Sequence, residues 1–281
     1  MNRLRIRHMT GFHYEGEVTA SYNEARMLPA SGDGQVVLYS SLEILPMSAQ
    51  HSYVDYWGSR VSSFEILTPH RELALTATSL VEVRPRQHAG HSLDWDELAA
   101  LSERASEFVE QRVQTRRTAP PPDVVALARE IADSFLSPCE AAEQICIAIG
   151  NAVEYMAGVT AVTTTAAEAW AHRKGVCQDI AHLAIGALRS VGIPARYVSG
   201  YLHPKPDAAV GDTVMGESHA WVEWYCGTWR GYDPTNLIDI GDGHVTVGHG
   251  RDYNDVPPLR GVYAGPFKSA LFVRVEITRE S

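Results

Sequence analysis

The sequence predicts an α+β protein, with an N-terminal all-β sandwich followed by a core of helices packed on an antiparallel sheet. Three observations carry this expectation. The first 85 or so residues hold strand-like runs broken by turn residues. Residues 92–153 switch to helical spacing, and from Ile193 onward the chain returns to strands.

In the first region, Gln35–Pro46, Arg60–Leu67 and Leu73–Val83 are β-branched or aromatic runs with partial alternation, separated by turn signals such as ASGDG and YWGS. Short strands without helices bury their apolar faces by stacking sheet on sheet. In Ser92–Val113 the apolar positions Leu93, Leu98, Leu101, Phe108 and Val109 recur at helical spacing, with Ser92 or Asp94 as N-cap. TAPPPD (Thr118–Asp123) breaks that helix, and Val124–Phe135 and Ala141–Val153 read as two more. Strands are expected from Ile193 to Leu237, then at His244–Val247 and Leu271–Ile277. The expected division is a β-sandwich over 1–88, a helical connector over 89–123 and a catalytic core over 124–281.

Composition narrows the function. The chain has 281 residues, 45% of them hydrophobic and 21% charged, which suits a globular protein. A net charge of −10 leaves no basic surplus to neutralise phosphates, so neither nucleic acid nor an anionic membrane is an expected partner. The opening residues MNRLRIRHMTGFHYEGE show no apolar signal-peptide core, and no apolar run is long enough to span a bilayer. The expected location is cytoplasmic. Oligomeric state is not legible.

Four cysteines, Cys139, Cys146, Cys177 and Cys226, form neither a CxxC pair nor a zinc-site spacing. Cys139, Cys146 and Cys226 read as small hydrophobes. Cys177 differs. It follows Gly175 and opens QDIAHLAIGALRSVG, whose apolar residues Ile180, Leu183, Ala184, Ala187, Leu188 and Val191 define an amphipathic helix ending at Gly192. In the first turn of a helix the unpaired N–H groups and the dipole favour a thiolate.

A thiolate catalyst needs an imidazole, and the imidazole needs an orienting group. ESHAWVEWYCGTWRGYDPTN supplies both. Glu217–Tyr225 reads as a strand, Cys226–Thr228 as a tight turn and Trp229–Asp233 as the return strand. If Tyr225 pairs with Trp229, His219 and Asp233 become diagonal neighbours on one sheet face, about 7–8 Å apart at Cα. A one-residue slip would place them on opposite faces. Taken singly, His219 could be a core histidine and Asp233 a turn aspartate. The combination with a helix-start cysteine favours catalysis.

GVCQDIAHL, SHAWVEWY and WRGYDPTN, in that order, resemble the transglutaminase-like superfamily, whose papain-like core carries Cys, His and Asp in this sequence. YNEARMLP, DYWGSRVSSFEILTPH and GHGRDYNDVPPLRGVYAG resemble the N-terminal region and C-terminal signature of a bacterial subgroup. The resemblance implies acyl transfer at a peptide or protein amide, with Cys177 as nucleophile, His219 as general base and acid, and Asp233 orienting the imidazole. Hydrolysis is expected over cross-linking. The Cys177 backbone N–H is one expected oxyanion donor, with Gln178 or Tyr155 as candidates for a second. Trp221, Arg251, Asp252 and Tyr253 are candidate cleft residues. His182 reads as packing, and Asp179 as a contact to the first turn of its own helix. No cofactor or metal is expected: no acidic EF-hand loop is present, and DIGDGH (Asp239–His244) is too poor in carboxylates. Two rival readings remain. One is a peptide-binding module that keeps the fold without the chemistry, and the other is a metal site on Cys177, His182 and His219.

Overall fold

A computed structural model describes residues 2–32, 34–85, 92–205, 208–216 and 218–281. Six strands come first: β1 (Asn2–Val18), β2 (Ala20–Ala25), β3 (Gln35–Leu45), β4 (Gln50–Val54), β5 (Arg60–Ile66) and β6 (His70–Val83). Helices α1 (Trp95–Arg104), α2 (Val109–Arg112), α3 (Pro122–Ser134) and α4 (Pro138–Ala152) follow. Next come β7 (Glu154–Tyr155), α5 (Ala166–His172), β8 (Lys174–Gly175) and α6 (Cys177–Ser190). The remainder is β9 (Ala195–Leu202), β10 (Thr213–Gly216), β11 (His219–Tyr225), β12 (Trp229–Asp233), β13 (Ile238–Asp239), β14 (His244–Gly250), β15 (Leu259–Ala264) and β16 (Ser269–Arg279). The α+β class is as expected.

Three large sheets and a two-stranded parallel pair, β7-β8, organise these strands. The first has the order β10-β16-β1-β6-β3, the second β15-β2-β5-β4, and the third, which carries the helices, β13-β12-β11-β9-β14. The central strands of the first sheet, β1 and β6, alternate along most of their length. Leu4, Ile6, His8 and Thr10 of β1 are buried, as are Leu73, Leu75, Ala77, Ser79, Val81 and Val83 of β6. That one face serves two neighbours. Tyr14, Val18, Leu73 and Leu75 pack with Phe64 and Ile66 of the second sheet, forming the sandwich. Further along, Leu4, Ile6, Val81, Val83, Val275 and Ile277 pack with Tyr201, Val245 and Val247 of the third sheet.

Each fully buried aliphatic side chain contributes about 1.5–3 kcal/mol, so the second contact fixes the sandwich firmly against the core. Polar groups along the seam are matched. The Gln35 side chain donates to the Thr246 carbonyl at 2.8 Å and accepts from the Thr246 N–H at 2.9 Å. Tyr201 donates to the Met27 carbonyl at 3.0 Å and contacts His8 Nδ1 at 2.9 Å.

Several boundaries depart from expectation. β15 and β16 pair with β2 and β1, so residues 259–279 complete the N-terminal sheets although they lie in the segment expected to form the core. The expected boundary between residues 88 and 89 lies outside the described residues, as does Glu217, the expected start of β11. The helix expected over Ser92–Val113 breaks at Ala105, which is extended, and resumes as a 3₁₀ turn and α2. Asp94, not Ser92, caps α1: it accepts from Glu97 N at 2.8 Å while Glu97 accepts from Asp94 N at 3.0 Å. Among the described residues, no helix is long and apolar enough to cross a membrane.

The cysteines need a correction. Cys139 and Cys226 are not independent small hydrophobes but a disulfide, with Cα atoms 5.7 Å apart, joining α4 to the turn of the β11–β12 hairpin. The two lie 87 residues apart, which is why local spacing gave no hint of the pairing. In the chain-entropy picture a loop of that length is worth roughly 4–5 kcal/mol. Thiol titration of unreduced, denatured protein should therefore find two reactive cysteines of the four, Cys146 and Cys177. Replacing Cys139 and Cys226 together with alanine should lower the melting temperature by roughly 10 °C. Four free thiols would rule the bond out.

Candidate active site

Cys177 is the first residue of α6 and is half-buried. Its helix start is held from below. The Val176 N–H donates to Asp179 Oδ2 at 2.9 Å, and Thr160 Oγ1 donates to the same oxygen at 2.7 Å. A Cβ on Gly175 would sit 2.8 Å from both Asp179 Cβ and Oδ2, so glycine is required here for space. Burial raises the Asp179 pKa, opposed by these hydrogen bonds and by Arg117. The far end of α6 is anchored by Arg189, whose guanidinium donates to the carbonyls of Gln111, Ala195 and Arg251 at 2.9 Å and of Val113 at 3.0 Å. A thiol at the tip of a helix pinned at both ends is held rigidly.

The hairpin adopts the expected register, with Tyr225 opposite Trp229 and Val222 opposite Tyr232. Ala220, Val222 and Trp224 bury into the helical core, leaving His219 and Trp221 on the other face. His219 Nε2 lies 2.7 Å from Asp233 Oδ2. Cys177 lines the same cleft as His219, close enough for its thiol to help raise the His219 pKa. Trp221 is fully buried, 6.2 Å from the His219 ring and 5.2 Å from His244.

Asp233 has no solvent exposure, yet its carboxylate is amply satisfied. Oδ1 accepts from the N–H groups of Thr235 at 3.0 Å and Asn236 at 3.2 Å. Oδ2 accepts from Asn236 Nδ2 at 2.8 Å as well as from His219, and His244 Nε2 stands 3.5 Å away. Burial alone would raise the carboxyl, but the hydrogen bonds from His219, His244 and Asn236 outweigh it and hold the pKa well below the usual range. For His219, burial favours the neutral ring. The hydrogen bonds to Asp233 and Cys177 overcome that and raise the pKa to about 10. The arrangement is built to carry an imidazolium beside a thiol.

Two cavities meet at Cys177, His219, Ser218 and Tyr155. The outer one, about 540 Å³, is bounded by Thr235 and Asn236 on one side and by Val214–Gly216 of β10 on the other. The inner one, about 370 Å³, lies between the start of α6, the floor residues Tyr197 and Ser199, and the face of the first sheet. The sandwich thus supplies one wall of the cleft. A separate concavity of about 630 Å³ on the outer side of the second sheet, near Tyr22 and His51, has no cysteine among its described lining residues.

The other expected site residues divide. Tyr155, more than half exposed, lines both cavities. Gln178 and Tyr253 line the inner one, and the Gln178 amide donates to the Val162 carbonyl at 3.3 Å. Three cleft candidates are corrected. Trp221 is packed beneath His219 and lines neither cavity. Arg251 pairs with Asp255 at 2.9 Å, and Asp252 accepts from Asn254 N at 2.7 Å; both stabilise the loop after β14 and face a different hollow, beside Val109 and Glu110. His182 accepts from the Tyr253 N–H through Nε2 at 3.1 Å, and burial lowers its pKa to about 3. It does not join Cys177 and His219 as a third ligand.

Two residues of the site escaped the sequence reading. Asn236 could have been found, because an aspartate followed three residues later by asparagine in DPTN is an Asx-turn pattern. His244 approaches Asp233 from a different strand and left no local signal.

These features have counterparts elsewhere. Residues 4–82 match the bacterial transglutaminase-like N-terminal region, and residues 125–234 match the transglutaminase-like superfamily core. Uncharacterized protein ML0607 of Mycobacterium leprae is 42% identical over 99% of this chain and 99% of its own length. Uncharacterized protein Rv2569c of Mycobacterium tuberculosis is 33% identical over 98% of this chain and 92% of its own. Among solved structures, one named a "Putative Cysteine Protease" from Cytophaga hutchinsonii covers 100% of this chain and 92% of its own with a TM-score of 0.75. At 21% identity that likeness concerns the fold. The chain belongs to the transglutaminase-like superfamily and carries the bacterial N-terminal region associated with it.

Proposed function

We propose that this protein is a cysteine-dependent enzyme that takes an acyl group from a peptide or protein amide through a thioester on Cys177 and releases it to water. The observation that carries the reading is the His219 ring, held by buried, ionised Asp233 at 2.7 Å and lining the same cleft as the Cys177 thiol, which helps raise its pKa.

In this mechanism the imidazolium of His219 stabilises the Cys177 thiolate, as the helix start does. The sulfur attacks the amide carbon, and the carbonyl electron pair moves to oxygen. The oxyanion is held by the Cys177 backbone N–H together with a second donor. Tyr155, at the junction of both cavities, is better placed for that role than Gln178, whose amide is engaged by Val162. Collapse breaks the C–N bond while His219 gives its proton to the leaving amine. Water, deprotonated by neutral His219, then attacks the thioester and frees Cys177. Asp233 keeps Nε2 protonated and the ring aligned throughout.

A peptide-binding module would need the cleft alone. It would have no use for a buried carboxylate that raises the pKa of a histidine touching a thiol.

The decisive experiment follows iodoacetamide alkylation against pH, with each cysteine resolved by peptide mass spectrometry. Because His219 is raised to about 10, the imidazolium persists across the neutral range. Cys177 should alkylate at about pH 6 within a few-fold of its rate at pH 8.5, where an ordinary thiol would slow by more than 100-fold. His219→Ala should restore the ordinary pH dependence. If Cys177 stays as slow as Cys146, whose thiol burial pushes up, the catalytic reading fails.

A p-nitrophenyl ester offers an acyl donor independent of the natural substrate. Wild type should show a burst of nitrophenol equal to one acyl group on Cys177, followed by slower turnover. Asp233→Asn should cut acylation by about 10³–10⁴-fold, since it leaves the imidazole in the wrong tautomer. Replacing water by an added amine as the main acceptor during turnover would shift the assignment from hydrolysis to transfer.

A further inference from the structure

The proposed acyl transfer leaves the inner cavity without a role, and its chemistry is specific. The wall opposite Cys177 is the face of the first sheet, which contributes His8 and Thr10 of β1 and Leu271 and Val273 of β16. His8 is 1% exposed. Its Nδ1 lies 2.9 Å from the Tyr201 hydroxyl, and that hydroxyl spends its only proton on the Met27 carbonyl. The proton between His8 and Tyr201 therefore belongs to His8 Nδ1. Nε2 is left as a bare acceptor, buried and without a hydrogen-bond partner. Buried polar atoms of this kind are almost always satisfied. Burial also keeps the ring neutral, lowering its pKa to about 4.

The remaining lining has one common property. Thr10, Ser199 and Tyr197 bring hydroxyls, Leu259, Leu271 and Val273 bring apolar surface, and among the described residues no carboxylate, ammonium or guanidinium group lines the cavity. A charged side chain entering it would lose its hydration, and the His219 imidazolium at its edge is already paired with Asp233 and shared with the Cys177 thiolate.

His219 lines both cavities and can reach a leaving nitrogen from either. The amine departs first, so it is assigned to the more open outer cavity, beside Thr235 and Asn236. The inner cavity, bounded by the chain neighbours of Cys177, Val176 and Gln178, takes the acyl side.

We infer that the inner cavity is an acyl-side subsite for an uncharged side chain bearing a hydrogen-bond donor, read by His8 Nε2 on the N-terminal sheet. This rests on the acyl-transfer reading and adds a substrate class to it. The N-terminal sheet is then a specificity element and not only a support.

The test uses peptidyl chloromethyl ketones, in which the Cys177 sulfur forms a bond to the methylene carbon as chloride leaves. The two residues before the ketone are varied in near-isosteric pairs, serine against alanine, threonine against valine and asparagine against aspartate. Iodoacetamide, which has no side chain to place, is run in parallel on each protein.

At one of the two positions, wild type should prefer the neutral donor over its apolar partner by at least about 10-fold in inactivation rate, and over its charged partner by more. His8→Leu should compress the apolar ratio to within about twofold, whereas His8→Gln, which keeps a neutral acceptor, should retain part of it. A misfolded fraction slows all probes alike and leaves the ratio intact. If wild-type Cys177 is unreactive to iodoacetamide at pH 6, the acyl-transfer reading itself fails. If Cys177 reacts but neither position discriminates, or the preference survives in folded His8→Leu, the subsite is overturned and the reading above stands.

Discussion

A carboxylate with no solvent contact can remain ionised only if the protein replaces its lost hydration with hydrogen bonds. Asp233 imposes that demand, and much of the site is arranged to meet it. The Asx turn after β12 brings two backbone N–H groups and the Asn236 amide to it, while β11 and β14 each bring a histidine. Trp221 packs against both histidine rings and keeps water from beneath them. The same interaction that keeps Asp233 charged raises the His219 pKa. Burial and basicity, usually opposed for a histidine, are reconciled here through one shared oxygen.

The thiol side of the site meets a complementary demand. Cys177 must remain reachable, so its helix cannot be fixed by burying the cysteine itself. Fixation comes instead from Asp179 in the same first turn and from Arg189 at the opposite end, whose donors satisfy carbonyls from four separate positions in the chain. Backbone carbonyls do not titrate, and a guanidinium bonded to them holds its geometry across the working pH range. The arrangement keeps the electrostatics near the thiol simple, because the anchoring cation sits at the far end of α6.

Local chemistry was legible in the sequence, and long-range chemistry was not. The amphipathic helix opening at Cys177 and the hairpin register of Tyr225 and Trp229 follow from periodicities of 3.6 and 2, so the placement of Cys177, His219 and Asp233 could be anticipated. β1 escaped notice although Leu4, Ile6, His8 and Thr10 alternate cleanly, because arginines and histidines interrupt its apolar look. The closure of the N-terminal sheets by β15 and β16, the Cys139–Cys226 bond and the approach of His244 to Asp233 all join distant segments. No window of neighbouring residues contains them. Trp221, Arg251 and Asp252 were drawn to the cleft by nearness in sequence to the motifs. The alternation of β11 and the turn after β14 place them elsewhere.

The central strand β1 sits between β6 and β16, and its register with β16 pairs Leu4 with Arg279. Contacts that span so much of the sequence form late, because the chain must close a very large loop before any contact repays the entropy. Leu271 and Val273 of β16 are also part of the wall facing Cys177. A nascent chain emerging from the ribosome can therefore assemble helix, thiol and imidazole well before it has a finished cleft. Synthesis order makes the wall of the cleft the last part completed, and a chain lacking β16 would carry Cys177 with an unwalled approach to it.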